Sequence, residues 1–334
     1  MKPIAVIILN WNGAELLRQF LPSVVKYNSD DIADVVVADN GSTDNSLEIL
    51  ANEFPSVKVL SFAENYGYAE GYNRAIGQLG YEYSVLLNSD VEVTPDWLLP
   101  VYNFMRGNIS VAACQPKILS YIDKTRFEYA GAAGGFLDKH GYPYCRGRIF
   151  DTVEEDVGQY DEPIDVFWAT GAALFVRSEV YLSVGGLDKD FFAHMEEIDL
   201  CWRIRQKGFS VKVIPQSIVY HLGGGSLPAS NPKKTYLNFR NNLFLLYKNL
   251  PEKRGRKVLF IRRLYDTLAF LMFLVKADWR NAKAILDAHR DFRKGKPRYK
   301  GVQPYRSIEC DYPCFRKNII LDYYLKGKRT YNKI

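Results

Sequence analysis

Short apolar runs and longer segments with helical spacing alternate along the first 90 residues. Ile4–Leu9, Val35–Ala38, Val57–Phe62 and Tyr83–Leu87 are wholly or mostly apolar and have the length of strands, which is typical of strands buried on both faces of a parallel sheet. Strands that alternate with helices predict a doubly wound, mostly parallel α/β sheet flanked by helices. The intervening helices are predicted over Ala14–Val25, from Asp44 as the N-cap through Leu50, and over Ala69–Leu79.

Polar residues follow each of these predicted strands. Asn10, Asp39, Asn65 and Asp90 all stand at strand ends or just beyond them. In doubly wound sheets ligands bind beyond the carboxyl ends of the strands, so this edge is the expected binding site. The first strand is not followed by a G-x-G-x-x-G sequence, which disfavours a dinucleotide-binding dehydrogenase.

The regular alternation fades beyond Val111, and a helical pattern dominates beyond residue 231. Ala130–Gly147 is rich in glycine and tyrosine, which indicates loops and short strands, and Gly223–Ser226 indicates a flexible loop. We therefore divide the chain into residues 1–230, with halves that meet at about residue 117, and a helical region over residues 231–334. The strands predicted here are Phe167–Arg177, Val211–Ile214 and Val219–His221, and the helices are Ile198–Lys207, Tyr236–Lys248, Arg256–Lys276 and Ala282–Phe292.

The net charge of +6 conceals an uneven distribution. Residues 1–230 carry 18 Lys and Arg against 30 Asp and Glu, whereas residues 231–334 carry 26 against 8. An acidic body followed by a basic region predicts that the basic region meets an anionic partner. The candidates are phospholipid, nucleic acid and a phosphate-bearing substrate.

Clusters of Lys and Arg flank the apolar run Leu268–Val275. An apolar centre with basic flanks is typical of a helix that docks on an anionic membrane surface. The alternative is a helix that packs on the rest of the protein and exposes a solvated basic face, and the sequence favours neither. The run is too short to span a bilayer. The clusters are Lys253-Arg254, Arg256-Lys257, Arg262-Arg263 and Arg293–Lys296.

The cysteines show no metal-binding spacing. They stand at positions 114, 145, 201, 310 and 314 without a C-x-x-C pair, and Cys310 and Cys314 have no accompanying Cys or His pair, so a zinc site is not expected. Met1–Ile4 leads into a predicted strand without the character of a signal peptide. We therefore expect a cytoplasmic protein, with peripheral contact to the inner face of the cell membrane through its basic region.

Two carboxylates at strand ends are candidates for nucleotide and metal binding. Asp90 closes the triplet Asn88-Ser89-Asp90 and can bind Mg²⁺ or Mn²⁺, which take oxygen ligands. Asp39 can accept a hydrogen bond from the ring N–H of uracil or thymine. Both stretches are also ordinary turn sequences, because Asn, Asp, Ser and Gly favour turns. From these residues alone both explanations stay open.

Further acidic residues and a histidine are candidates for catalysis. Glu196, Glu197 and Asp199 stand at the start of a predicted helix, where the helix dipole favours carboxylates by about 0.3–1 kcal/mol each. Alternatively, one of them is a general base whose pKa is raised by its neighbour. His221 is either a structural residue or a ligand through its neutral imidazole, and the glycines after it suit an approaching phosphate or a moving loop.

In this order and spacing, these segments resemble the family 2 glycosyltransferases, inverting enzymes with the GT-A fold. Within that family they resemble the bacterial rhamnosyltransferase-like branch that builds surface polysaccharides. The likeness spans about residues 4–225, and the remaining residues resemble the variable C-terminal helices of this branch only loosely. The matching stretches are Ile7–Asn12, Val37–Asp44, Glu64–Ala69 with Gly71–Asn73, Leu86–Asp90, Thr170–Ala172, Gly185–Asp188 and Phe191–Arg203.

The resemblance implies a donor-binding set at the strand ends. Asp39 would hold the pyrimidine ring, and Asp90 would be the metal-binding end of an Asp-x-Asp-type motif, with His221 as a further ligand of Mg²⁺ or Mn²⁺. The other residues implied near the nucleotide sugar are Asn10 and Asn12 beside the pyrimidine, Asn65, Gly67 and Asn73 near the nucleotide, and Asn88 and Ser89 in the motif.

The resemblance also implies where the acceptor and the base lie. Gly171-Ala172 would border the acceptor, and Glu197 would be the base with Glu196 supporting it. Two positions depart from the family pattern. Asn88 replaces the first Asp of the motif, so it can contact ribose but binds metal poorly. Glu197 replaces the more usual Asp and is one methylene longer.

The implied reaction is attack of an acceptor hydroxyl on the anomeric carbon of a nucleotide diphosphate sugar, with inversion. The implied donor is dTDP-rhamnose or a UDP-hexose, and the acceptor is a glycan or lipid-linked glycan. A metal-dependent nucleotidyltransferase is the rival enzyme, but Asn10–Gly13 lacks the cation expected in its phosphate loop. A non-enzymatic nucleic-acid-binding protein would explain the basic region. The acidic body and the lack of a recognised module count against it, so we expect no nucleic-acid partner.

Overall fold

A mixed β-sheet organises the fold. The structure, a computed structural model, describes residues 2–29, 31–223, 231–302, 306–308 and 311–334, and within these ranges one sheet contains nine strands and a second contains four. Of the predicted flexible loop, residues 224–226 lie outside the described ranges, as does Cys310. The larger sheet and its flanking helices confirm the predicted fold class.

Four parallel strands form the first half of the larger sheet. They are β1 (Ile4–Asn10), β2 (Ala33–Asp39), β3 (Lys58–Ser61) and β4 (Tyr83–Leu87), and the helices between them are α1 (Ala14–Lys26), α2 (Ser46–Glu53) and α3 (Gly67–Leu79). Their order in space is β4-β1-β2-β3, and the register sets Asn10 beside Asp39. Every element predicted here is present, with ends within three residues of the predicted ones.

Both faces of these strands are buried. Along β1, Ile4, Val6 and Ile8 pack into the apolar layer on one face, whereas Ala5 and Ile7 pack into the layer on the other. This follows from strand geometry, because successive side chains point to opposite faces of a sheet. The sheet is enclosed between two apolar layers, so its polar side chains are concentrated at the strand ends.

Asp44 joins the starts of two helices but is not the N-cap residue of either. The N-cap of α2 is Asn45, so the predicted N-cap was one residue early. The Asp44 carboxylate accepts hydrogen bonds from the backbone N–H of Ser46 (3.0 Å) and of Ala14 (3.1 Å). It therefore satisfies one N–H at the start of α1 and one at the start of α2, and it fixes the loop after β1 against the loop after β2.

The second half of the larger sheet mixes strand directions. The elements in chain order are β5 (Val91–Val93), α4 (Leu98–Gly107), β6 (Val111–Ser120), β7 (Gly135–Leu137), β8 (Pro143–Cys145), β9 (Arg148–Ile149), β10 (Thr152–Val153), β11 (Ile164–Asp165), β12 (Ala173–Arg177), α5 (Ser178–Ser183), α6 (Glu196–Gln206) and β13 (Ser210–His221). β12 lies antiparallel between β4 and β6, and β13 runs parallel to β6 and antiparallel to β5 and β11. β7 to β10 form the smaller sheet.

Two strand predictions in this half differ from the structure. Of Phe167–Arg177, only the last five residues form β12, because Trp168 turns aside to bridge Gly135 of the smaller sheet. The two strands predicted on either side of Pro215 are one strand, β13, whose pairing with β6 shifts register between Ile214 and Ile218. A proline within a strand marks an irregularity of this kind, and in the sequence it looked like a break.

Three helices follow the sheet, as the pattern predicted. They are α7 (Pro232–Asn249), α8 (Glu252–Val275) and α9 (Trp279–Gly295), with ends within four residues of the predicted ones. The side chains of Asn231 and Asp278 cap α7 and α9 by accepting hydrogen bonds from Lys233 N and Asn281 N. Within the described ranges, no helix combines the length and the apolar character needed to cross a membrane.

The C-terminal helices share a core with the second half of the sheet. Leu243 and Leu246 of α7 and Phe292 of α9 belong to the same apolar cluster as Trp202 of α6 and Val213 of β13. The division at residue 230 remains a prediction about chain organisation. In packing, α7 is part of the body that carries α6.

Candidate active site

Asn10 and Asp39 form a buried hydrogen-bonded pair at the carboxyl ends of β1 and β2. Asn10 Nδ2 donates to Asp39 Oδ1 (3.1 Å) and to Ser42 Oγ (3.1 Å), and Ser42 N donates to Asp39 Oδ2 (3.0 Å). Asn10 and Asp39 are each 1% exposed. Asn10 Oδ1 is buried without a hydrogen-bond partner among the described residues. An unmet buried acceptor is costly, so this edge can take a ligand that brings an N–H donor.

Asn12 shapes the loop beside this pair. Its backbone lies in the left-handed region with φ 51°, which Asn tolerates better than most residues. Asn12 Oδ1 accepts hydrogen bonds from Thr43 N (2.7 Å) and Asp44 N (3.3 Å). The Asn12 side chain therefore fastens the loop after β1 to the loop after β2, and its role beside a pyrimidine stays a prediction.

Asn40, which sequence reasoning missed, connects this edge to the start of α3. Asn40 Nδ2 donates to Asn65 Oδ1 (2.9 Å) and to the Gly67 carbonyl (3.2 Å), and Asn40 Oδ1 accepts from Tyr66 N (3.0 Å). Asn65 Oδ1 also accepts from Gly67 N (2.8 Å). Asn65 and Gly67 are thereby brought to the edge that holds Asp39. The signal for Asn40 was its position directly after Asp39.

Asn73 forms its hydrogen bonds away from Asp39, with Leu187 and Tyr181. Its Nδ2 donates to the Leu187 carbonyl (2.8 Å), and its Oδ1 accepts from Leu187 N (2.9 Å) and from the Tyr181 hydroxyl (2.6 Å). Asn73 also lines a cavity of about 650 Å³ with Asp188 and Lys248. No described contact brings it to Asp39, so its nucleotide-binding role stays a prediction, while its observed partners hold the turn before α6.

Asp90 and His221 face each other at the other end of the edge. β5 pairs with the end of β13, which sets His221 opposite Val91. His221 Nε2 lies 3.1 Å from Asp90 Oδ1 and 3.5 Å from Asn88 Nδ2. Asp90 and His221 are 8% and 6% exposed, whereas Asn88 and Ser89 are half-buried. The structure thus brings together two residues that are 131 positions apart.

Glu128, also missed from the sequence, lies on the far side of the His221 ring. His221 Nδ1 is 3.4 Å from Glu128 Oε2, an ion-pair distance. Burial lowers the pKa of His221, but its interactions with Asp90 and Glu128 outweigh burial and raise this pKa to about 10. The ring is therefore protonated at neutral pH in the absence of a competing cation. Glu128 lies in an irregular segment without a motif, so nothing local in the sequence marked it.

The Asp90 and His221 donors suit a divalent cation completed by its substrate. A carboxylate oxygen and an imidazole nitrogen are ligands that Mn²⁺ accepts, and at 3.1 Å apart they converge on one point. A carboxylate behind the second ring nitrogen is the usual support of a metal-binding histidine. Within the described ranges no group of three His, Cys, Asp or Glu side chains could hold a metal ion. The remaining ligands would have to be diphosphate oxygens and water.

Glu196 and Glu197 occupy the first turn of α6 in unlike surroundings. Glu196 is buried, and burial with the adjacent Glu197 charge raises its pKa well above the usual value. Glu197 is half-buried; burial raises its pKa to about 7, although backbone N–H groups at the helix start favour its ionised form. One oxygen of each carboxyl group has no hydrogen-bond partner in the described part of the chain. Two carboxyl groups with separated pKa values suit different roles.

Asp199, the third acid of this turn, is committed to a buried ion-pair network. Its Oδ2 lies 2.7 Å from Arg203 Nη2 and 2.9 Å from Lys248 Nζ, and Oδ1 accepts from Asn249 Nδ2 (2.7 Å). Burial raises the pKa of Asp199, but Arg203 and Lys248 outweigh burial and lower this pKa to about 2. Asp199 therefore holds α6 to α7.

The segment before α6 has an unusual backbone. Phe192, His194 and Met195 have φ angles of 67°, 68° and 74°, a region that side chains of this size rarely adopt. Asn241 of α7 holds the segment: its Nδ2 donates to the carbonyls of Phe191 (2.9 Å), Ala193 (2.8 Å) and His194 (2.8 Å). Strain of about 1–3 kcal/mol per residue persists only where the surroundings enforce it, and here α7 does so.

Tyr68 connects the Asp90 side of the edge with the Glu197 side. Its hydroxyl lies 3.4 Å from Asn88 Oδ1 and donates to the Gly171 carbonyl (3.0 Å). A Cβ atom added at Gly171 would lie 3.9 Å from Glu197 Cβ and 2.7 Å from the Tyr68 hydroxyl, so Gly171 allows the two to approach. Ala172 follows, and its carbonyl accepts from Asn88 N (3.0 Å). Asn88, on the Asp90 side, and Glu197 therefore both lie near Tyr68 and Gly171.

Solved glycosyltransferase structures have the same fold. The crystal structure of Staphylococcus aureus TarS 1–349 in complex with UDP-GlcNAc matches with a TM-score of 0.58 at 16% identity, over 87% of this chain and 80% of that chain. The mannosyltransferase PcManGT from Pyrobaculum calidifontis, in complex with GDP-Man and Mn²⁺, matches with a TM-score of 0.53 at 13% identity, over 90% and 88%. At these identities the likeness is one of fold.

Sequence comparison also finds glycosyltransferases. The N-acetylglucosaminyl-diphospho-decaprenol L-rhamnosyltransferase of Mycobacterium tuberculosis is 25% identical over 243 residues, which cover 65% of this chain and 75% of that protein. Residues 5–161 match the family model described as Glycosyl transferase family 2. This stretch contains β1 to β4, Asp39 and Asp90. Residues 5–161 are therefore similar to the family 2 glycosyltransferases, and the chain has the GT-A fold of the solved glycosyltransferases.

Proposed function

We propose that this glycosyltransferase moves a sugar from a nucleoside diphosphate sugar to a hydroxyl of a glycan or lipid-linked glycan, with inversion at the anomeric carbon. The observation that carries the proposal is that the Tyr68 hydroxyl contacts both Asn88 and Gly171, while Gly171 lies close to Glu197. This closeness of Asn88, beside the proposed metal site, to Glu197, whose pKa is raised, supports a single displacement.

The pyrimidine of the donor would lie at the Asn10–Asp39 pair. Asp39 keeps acceptor capacity for a ring N–H, because each carboxylate oxygen can accept more than one hydrogen bond. Ser42 and Asn10 already orient it, so binding costs little rearrangement. Asn65 and Gly67, held by Asn40, would then lie along the nucleotide toward Asn88.

The diphosphate would lie at the Asp90–His221 end. Asp90 and His221 would hold Mg²⁺ or Mn²⁺, which when bound offsets the negative charge that grows on the leaving diphosphate. His221 has to release its Nε2 proton before it can bind a metal, and Glu128 behind the ring keeps Nε2 directed at Asp90. Asn88, which stands where an Asp is usual, would contact the ribose instead.

Glu197 would act as the general base. Ionised, it removes the proton of the acceptor hydroxyl while the oxygen attacks the anomeric carbon from the face opposite the diphosphate. Burial and the adjacent Glu197 charge raise the pKa of Glu196 well above its usual value, which disfavours a second negative charge beside the base. The Tyr68 hydroxyl also stays protonated, because burial raises its pKa, and it holds the Gly171 carbonyl at the acceptor border.

The donor and acceptor are proposed from the relatives. A rhamnosyl donor such as dTDP-rhamnose, and a lipid diphosphate acceptor, follow from the name of the mycobacterial relative. UDP-hexoses remain the alternative donors. Because such an acceptor is held in a membrane, the proposal places the enzyme at the inner face of the cell membrane, as a cytoplasmic peripheral protein.

A donor screen tests the proposed reaction. The purified full-length chain is incubated with individual nucleotide sugars and Mn²⁺, with and without a short lipid diphosphate acceptor, and released nucleoside diphosphate is measured. We expect release from one donor class, enhanced by the acceptor, and a product whose anomeric configuration is inverted by NMR. Retained configuration, or no release from any donor, would contradict the proposal.

The metal assignment has its own test. EDTA should abolish turnover, and Mn²⁺ should restore it. Direct Mn²⁺ binding, followed by electron paramagnetic resonance in the presence of nucleoside diphosphate, should weaken strongly in Asp90→Ala and His221→Ala. Turnover that is unchanged in EDTA would show that the metal role of Asp90 and His221 is wrong.

A further inference from the structure

The outer side of α8 is apolar. Phe260, Leu264, Leu268, Leu271, Met272 and Val275 recur at helical spacing, and each is between 48% and 88% exposed. They form one stripe, because residues three and four apart share a helix face. We call these six residues the α8 stripe. Four of the eight residues of the apolar run Leu268–Val275 are thus exposed.

The inner side of α8 is held largely by charged groups. The buried residues of α8 are Gly255, Val258, Arg262 and Asp266. Arg262 pairs with Asp266 (3.3 Å) and lies over the ring of Tyr142, with its guanidinium carbon 3.8 Å from the ring centroid. His289 of α9 lies 2.9 Å from Asp266. The last nine residues of α8 include no buried one. An apolar surface of this kind marks an interaction site.

Five cations border the stripe, and of these Arg256 has an acidic partner, Glu252, at 3.6 Å. Lys253, Arg256, Lys257, Arg263 and Lys276 are exposed. After Glu252, the one acid of α8 is Asp266, which is buried. Lys253, Lys257, Arg263 and Lys276 form no ion pair with any carboxylate in the described ranges. The outer side of α8 therefore offers apolar side chains and positive charge together.

We propose that the α8 stripe and its bordering cations dock on an anionic lipid bilayer surface, with α8 lying in the plane of the membrane. A helix with an apolar face and cationic borders inserts its apolar side chains at the boundary of headgroups and acyl chains, while its cations meet anionic headgroups. A second copy of the chain fits less well, because a two-fold contact would bring the five cations of one helix against those of the other, with Glu252 as the one exposed acid of each α8.

Vesicle flotation tests this surface without donor or acceptor, so its outcome is independent of the proposed reaction. The full-length chain should float with phosphatidylglycerol-containing vesicles at low salt and much less with phosphatidylcholine vesicles. The triple variant Leu268→Ser/Leu271→Ser/Met272→Ser should bind anionic vesicles roughly tenfold or more weakly. The charge variant Lys253→Glu/Lys257→Glu/Arg263→Glu should also bind more weakly.

A matched control separates this surface from general hydrophobicity. Ile109 and Ile122 are 82% and 80% exposed and lie outside α8, so Ile109→Ser/Ile122→Ser should float like the wild type. Circular dichroism confirms that each variant is folded. The proposal is overturned if the wild-type chain stays unbound at low salt, or if the triple variant binds undiminished. It is equally overturned if light scattering shows a dimer that the triple variant abolishes while vesicle binding is absent.

Discussion

The loops at the carboxyl ends of β1 to β3, proposed to bind the donor and here called the donor edge, and the segment before α6 both contain left-handed backbone, but they obtain it differently. At the donor edge these positions are Asn12, Gly41 and Gly67, residue types that adopt it at low cost. Before α6 they are Phe192, His194 and Met195. There the conformation is imposed by Asn241 from α7. The donor edge is thus built by its local sequence, whereas the position of Glu197 depends on a distant helix.

The largest expected effect concerns Glu197, the proposed base, which follows this segment in the chain. Glu197→Gln should lower kcat by about 10²–10⁴-fold, because a positioned general base contributes that much, while donor binding stays near normal. Glu196→Gln should cost far less, because burial beside Glu197 raises the pKa of Glu196 and disfavours the charged form that glutamine cannot adopt. Steady-state kinetics with the identified donor measure both. Near-normal transfer in Glu197→Gln with loss of transfer in Glu196→Gln would reverse the assignment.

Removing the support of the segment should have the next largest effect. Asn241→Ala should lower kcat by roughly 10–100-fold through misplacement of Glu197, with less change in the KM for the donor. The matched control is Asn242→Ala, because Asn242 is equally buried and donates to the Gly141 carbonyl (2.7 Å), away from the segment.

Comparing the two asparagine variants separates positioning from stability. Both should lose thermal stability to a similar degree, yet only Asn241→Ala should lose kcat and shift the pH dependence of transfer. Equal kinetic losses in the two variants would show that Asn241 acts only through folding.

A smaller effect is expected at the donor edge. Asp39→Asn keeps the size of the side chain beside Asn10 but replaces a carboxylate oxygen that would accept a hydrogen bond from the pyrimidine N–H. The KM for a uridine or thymidine donor should therefore rise roughly tenfold, with kcat nearly unchanged. Isothermal titration with the nucleoside diphosphate checks the same loss directly. A fall in kcat without weaker nucleotide binding would contradict this division between the two regions.

The smallest effect is a pH dependence of the base. Since the pKa of Glu197 is about 7, kcat/KM should rise with pH through about 7. The free energy of unfolding should show the opposite trend. Folding raises the pKa of Glu197 from 4.5 to about 7, so ionisation of Glu197 destabilises the folded state as the pH rises from 4.5 to about 7. Thermal melts across this window should fall less in Glu197→Gln than in the wild type. A flat rate profile between pH 6 and 8 would contradict the assignment of Glu197 as base.

The sequence predicted the regular parts of the molecule well. Apolar runs and helical spacing located β1 to β4, α1 to α3 and the three C-terminal helices, because each follows from local periodicity. Because Asp39 and Asp90 follow predicted parallel strands, the sequence also predicted that both lie at the carboxyl-end edge of the sheet. The bulge in β13 was missed, because Pro215 looks like a strand end when the partner strand β6 is unknown.

The supporting residues of the site were not predictable in the same way. Glu128, Tyr68 and Asn241 act through contacts that span long stretches of sequence, with Tyr68 and Gly171 separated by 103 positions. Such contacts are set by tertiary packing, which local periodicity does not encode. For α8 the sequence predicted the helix but not its orientation. That orientation depends on the buried Arg262–Asp266 pair, and in the sequence Arg262 looked like one more flanking cation.

The segment before α6 depends on Asn241 of α7, and this dependence also sets an order of events during synthesis. Residues 4–90 contain the parallel strands and can begin to fold as they leave the ribosome. The segment from Phe191 to Met195 cannot take its observed backbone until α7 has been made and has packed beside it. A nascent chain that already displays the strand ends with Asp39 and Asp90 would therefore not yet hold Glu197, the proposed base, in its observed position.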